Sequence, residues 1–297
     1  MIDIKSNFQH IIAQMMQNSS HQSVVTEENV WQEGNAANRK LFYKIIEELI
    51  LPGSSIEGLE NLIELRKLSE AGKACLLLVE HYSNFDLPCF FNLLEKTGPE
   101  GSQVADALVA MAGYKLNEEN TTVLAFTEAF SRIIIYPSRS IEALPDGPDK
   151  EAELKRAQRI NLAAMRALSK AKTTGKMVLV FPAGTRYRPG KPETKRGVKE
   201  IDSYIKGFDY MVFVSINGNT LQVASEGEML GDLAQKDVII YGAGPVVSCS
   251  EFRAASQARC PQGYDPKQFT VDGVMRELDA LHAQWETVRQ ERLAHPR

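Results

Sequence analysis

Short, almost wholly apolar runs of strand length recur from residue 73 onward, with helical segments between them, and this pattern constrains the fold more than any other feature. The runs fall at 74–79, 105–111, 133–136, 177–181, 211–216 and 238–241, and helical spacing covers 87–94, 123–130, 151–171 and 194–205. A strand that is apolar at consecutive positions has both faces out of water. Helices between the strands supply the cover, so the pattern predicts an α/β fold, a mixed sheet flanked by helices. A last helix around 274–292 carries Val274, Leu278, Leu281, Trp285 and Val288 on one stripe, so it packs down on its neighbours.

Before residue 73 the rhythm is helical. Leu41, Phe42, Ile45, Ile46 and Leu49 recur at helical spacing and stop at Pro52-Gly53, and a second helix runs through "IEGLENLIELRKLSEAG" to Gly72. The expected organisation is a small N-terminal helical bundle over 1–72 and an α/β domain over 73–297. At 297 residues, with 43% hydrophobic and 24% charged residues, the chain can bury a sizeable core. Its net charge of −4 speaks against nucleic acid as a partner. The longest apolar runs fall well short of the ~18 residues of a membrane span. The first 20 residues resemble neither a secretory signal nor a transit peptide, so a cytoplasmic protein is expected, with peripheral membrane contact left open. The four cysteines contain no C-x-x-C pair, and Cys75 and Cys89 lie in apolar surroundings as small core residues; no metal site is expected.

Three strand ends carry chemistry. In "LLLVEHYSNFDLPCFF" an apolar run ends at His81, and Asp86 follows five positions later. On a strand that spacing points to opposite faces, and on a helix the two lie about 140° apart. They converge only if a strand ends near Glu80 and a helix begins near Asp86, with Ser83 as its N-cap. Asp86 is then either a helix-start carboxylate, as in a capping box, or the partner that orients His81 as a base. In "MVLVFPAGTRYRPGKPETKRGVKE" a buried strand runs into a glycine turn. Arg186, Arg188, Lys191, Lys195, Arg196 and Lys199 follow within 14 positions, opposed before Glu200 only by Glu193. This is either a solvated basic loop or a phosphate site. It is not a nucleotide P-loop, because Pro192 follows Lys191 where Ser or Thr is needed. "RIIIYPSRS" delivers Arg139 just past a third strand.

Taken in order, these three motifs resemble the glycerol-phosphate acyltransferases, the HX4D acyltransferases, over about residues 73 to 217. The nearer likeness is to the soluble plastid-type glycerol-3-phosphate acyltransferase, which has a helical N-terminal region and a small residue followed by Arg-x-Arg in the third motif, as in Ala183 and Arg186-Tyr187-Arg188. The resemblance implies a glycerol-3-phosphate O-acyltransferase of phospholipid biosynthesis. Acyl-ACP or acyl-CoA would be its co-substrate, with no other cofactor. His81 is implied as general base oriented by Asp86. Arg139, Arg186 and Arg188 are implied as phosphate contacts, and Lys115, Gly184 and Thr185 as further substrate contacts. Acyl-carrier protein, being acidic, suits the basic run at 191–199. Two departures stand out: Ala183 replaces the usual glutamate, and "MVFVSING" lacks the usual proline where an acyl-pocket wall at 214–216 is implied. The alternative within the family is acylation of lysophosphatidate. Outside it stand a thioesterase or lipid hydrolase, for which no G-x-S-x-G elbow is present, and a non-catalytic lipid- or carrier-binding protein.

Overall fold

The computed structural model describes residues 1–295 apart from His21, Glu119, Ala143 and 223–231. Its centre is a nine-stranded mixed sheet. Five strands run parallel in the spatial order Arg132–Ile135, Leu108–Gly113, Met177–Val180, Cys75–Val79, Tyr210–Asn217. Antiparallel Ile240–Ala243 extends the sheet past Tyr210–Asn217, and Ser55–Glu57 lies parallel to it at the edge. Trp31–Gln32 closes the other edge against Arg132–Ile135. Val247–Ser248 pairs with the start of Tyr210–Asn217.

Cys75–Val79 is central, and each of its residues is buried. Alternate side chains enter different cores, as the two-residue period of a strand requires. Cys75, Leu77 and Val79 join Ile45, Leu62 and Phe90 on one face, beneath the helices Ala36–Leu49, Leu59–Glu70, Asp86–Lys96 and Pro99–Ala107. Leu76 and Leu78 join Leu168, Ile205 and Val274 on the other, beneath Pro148–Thr173, Ile201–Gly207, Cys249–Ala258 and Pro266–Ala294. Residues 1–72 therefore supply much of the cover for one face, an edge strand on each side of the sheet, and the Gly72 turn into the central strand. No helix among the described residues is long and apolar enough to cross a membrane.

All six expected strands form, with shifted ends. The second begins at Leu108 rather than 105, because Val104, Ala105 and Ala107 close the helix Pro99–Ala107. The helix expected over 194–205 is a 3₁₀ turn, Pro192–Lys195, followed by Ile201–Gly207. Between them Gly197 lies so close to the last helix that a Cβ would sit 2.4 Å from Val271. Cys75 and Cys89 are core residues, and burial pushes both thiols up to about 12.

Candidate active site

The parallel strands carry the three motifs to one edge, the carboxyl edge where ligands of open α/β sheets sit. The chain leaves Cys75–Val79 at Glu80, whose N–H still donates to Val214 O at 3.1 Å, and then turns through 81–85 into the helix Asp86–Lys96. That change of structure brings His81 Nδ1 to 2.8 Å from Asp86 Oδ2. Ser83 is not the N-cap. Phe85 occupies that position without a side-chain cap, while Ser83 Oγ accepts from Phe85 N–H and donates to Asp86 Oδ1 at 2.9 Å. Asp86 faces back along the chain: Oδ2 also accepts from the N–H groups of Tyr82 (2.6 Å) and Ser83 (2.9 Å). A carboxylate at a helix start that bonds the loop before it organises that loop, rather than capping the helix after it.

His81 is packed as well as paired. Its ring stacks on Phe181 with centroids 4.0 Å apart and planes 12° apart, and its carbonyl accepts from Tyr187 N–H at 2.8 Å. An Nδ1–H held by a carboxylate leaves Nε2 with a free lone pair. The first and third motifs are thus joined directly. The second reaches the same turn, because Arg139 Nη2 donates to Ala183 O at 2.7 Å. His81, Pro182, Ala183, Tyr187, Lys195 and Met275 line a shallow cleft enclosing only about 10 Å³, room for a single water.

The expected phosphate contacts differ among themselves. Arg186 is mostly buried and its guanidinium pairs with buried Asp232. Arg188 is exposed, and its N–H donates to Thr194 Oγ1 at 2.9 Å. The basic run is less bare than its sequence indicates: Lys195 pairs with Asp279 at 2.6 Å and Lys199 with Asp265. Arg188, Lys191 and Arg196 keep no carboxylate partner among the described residues. Gly184, at φ +62°, makes the turn after Phe181 and spends its own N–H on Phe181 O at 2.9 Å. Thr185 is half-buried beside it. Lys115 begins the helix Lys115–Glu118, exposed, two strands away from His81. Val214 and Ile216 are closed within the core.

The structure adds a group that spacing did not reveal. Glu80, buried, accepts from His282 Nδ1 (2.8 Å) and Ile216 N–H (2.8 Å) on Oε2, and from Tyr82 Oη (2.8 Å) on Oε1. Burial works to lower the pKa of His282, but the hydrogen bond and charge of Glu80 outweigh it, and the net shift is upward. A carboxylate closing an apolar run was the available signal, since such a group is buried only with partners. Among the described residues no cluster of three or more His, Cys, Asp or Glu side chains is placed to hold a metal ion. No protein-family model matches this chain, and no curated protein matches it in sequence.

Proposed function

We propose that the chain is an acyltransferase that moves a fatty acyl group from a thioester, of coenzyme A or an acyl-carrier protein, to a hydroxyl of glycerol 3-phosphate. The observation that carries this reading is the His81–Asp86 pair, 2.8 Å apart at the carboxyl edge of the sheet and joined through Tyr187 to a turn followed by arginines. His81 Nε2 takes the proton of the acceptor hydroxyl as its oxygen attacks the thioester carbonyl. Asp86, holding Nδ1–H, stabilises the imidazolium that forms. Collapse of the tetrahedral intermediate breaks the C–S bond, and the imidazolium returns its proton to the thiolate. A thiol near pKa 8.5 leaves readily, so no stronger acid is needed.

Arg188 and Arg139 are the arginines nearest to an open role on the phosphate; Arg186 backs the loop through Asp232. Seating an acceptor in so small a cleft requires some of the side chains that line it to move. The test is thiol release by wild type and His81→Ala, with glycerol 3-phosphate, with lysophosphatidate and with neither. The base assignment expects a fall of about 10²–10⁴ in acceptor-dependent rate. Wild-type turnover by His81→Ala would end it. Release that ignores the acceptor would point to a hydrolase, and preference for lysophosphatidate would move the chain to the neighbouring reaction.

A further inference from the structure

The helix Pro148–Thr173 has a second face that the cleft does not use. Ala157, Ile160, Ala164, Leu168 and Ala171 are its buried stripe. On the outer side Leu154, Leu162 and Met165 are 43%, 57% and 66% exposed, three of the eight exposed large hydrophobic residues among those described. At about 100° per residue, Leu154 and Met165 stand within about 20° of one another and Leu162 about 80° round. Lys155, Arg159, Arg166 and Lys170 fill the adjoining ~60°. From 154 to 173 there is no Asp or Glu, in a chain whose net charge is −4. Arg159 is held at 3.3 Å by Glu27, whereas Lys155, Arg166 and Lys170 have no carboxylate partner among the described residues.

We infer that this helix face docks the protein on an anionic lipid bilayer, with Leu154, Leu162 and Met165 entering the headgroup boundary and the row of cations meeting the lipid charge. A row of Leu and Met beside a row of Lys and Arg is the composition of an interfacial helix. The charges extend over about 22 Å of a convex ridge, which suits a flat surface of distributed negative charge. A protein partner would be expected to seize a compact anchor, usually aromatic. Here Gln158 separates Leu154 from the Leu162–Met165 pair, and the strip has no aromatic residue. The inference does not depend on the acyl-transfer reading, and its test needs no turnover.

The test is co-sedimentation of the full chain with phosphatidylcholine vesicles, with and without phosphatidylglycerol, in low and raised salt. Binding should require the anionic lipid and weaken with salt. Leu162→Asp with Met165→Asp should lower vesicle affinity by more than about tenfold. Lys155→Gln and Arg166→Gln should each lower it about fivefold. All of these are exposed positions, so the melting temperature should hold, and a control at Leu293→Asp on the last helix should bind as wild type. Absence of vesicle binding, equal binding to neutral lipid, or wild-type binding by the double variant would overturn the inference. So would capture of an acidic carrier protein, abolished by the same variants, without vesicle binding.

Discussion

Glu80 and His282 are 202 positions apart in the chain and 2.8 Å apart in the fold. Glu80 immediately precedes His81, and Tyr82, which immediately follows, donates through its hydroxyl to Glu80 and through its N–H to Asp86. The last helix thereby clamps the loop that carries His81. Glu80 is buried and its partners His282 and Tyr82 are half-buried, so removing a partner leaves a buried carboxylate short of a hydrogen bond.

The clamp should titrate. The pKa of His282 is raised in the folded protein, so its charged contribution to stability is fully present below about pH 6.5, the unfolded value. That contribution is lost as pH rises through the higher folded value. His282→Ala should cost about 1–3 kcal/mol in acid and less in base. Urea denaturation at about pH 6 and about pH 9 measures this; an equal loss at both would remove the charge from the account.

Asp86→Asn separates the two roles weighed for this carboxylate. The amide oxygen can keep the donors now on Oδ2, and the amide nitrogen can face Ser83 Oγ, so the loop should survive with a loss of about 1–2 kcal/mol. What the substitution removes is the negative charge behind His81. Under the acyl-transfer reading the rate should fall by about 10²-fold or more in a protein that still melts cooperatively. A variant with full activity would leave Asp86 only a loop organiser.

Arg186 and Arg188 should part company. Arg186→Ala removes a partner from buried Asp232, and stability should fall by about 1–3 kcal/mol. Arg188 is exposed, so Arg188→Ala should leave the melting temperature within about 2 °C while raising the acceptor KM. Thermal melts paired with acceptor titrations distinguish them. A KM effect confined to Arg186 would reverse the assignment.

The central strands were legible because burial on both faces leaves consecutive apolar residues, a local signal. The same local view hid, besides several single-turn helices, two of the longer ones among the described residues. Pro99–Ala107 contains Gly101, which reads as a breaker, yet a Cβ there would sit 2.2 Å from Leu94 O, so glycine is what lets this helix close against its neighbour. Cys249–Ala258 buries only Cys249 and Ser256, and Phe252 is its one large apolar residue. Trp31–Gln32 and Ser55–Glu57 are too short to display a period. At the site, His81, Asp86, Arg139 and the Gly184 turn were within reach of strand-end reasoning. The carboxylates that neutralise Arg186, Lys195 and Lys199 were not, since Asp232, Asp279 and Asp265 lie 46 or more positions away and only the fold brings them near.

Gly184 offers the sharpest local test, because strain and contact can be separated. Its φ of +62° disfavours any Cβ, and one placed there would lie 3.4 Å from Arg139 Nη2. Gly190, at φ +82°, shares the backbone conformation but has nothing within 4 Å. Alanine at either position should cost about 1–2 kcal/mol through the left-handed backbone. Only Gly184→Ala puts a methyl group in contact with the guanidinium that Ala183 O holds, so only that variant should raise the acceptor KM beyond what its stability loss explains. Equal KM values for the two variants would mean that Arg139 serves the turn and not the substrate.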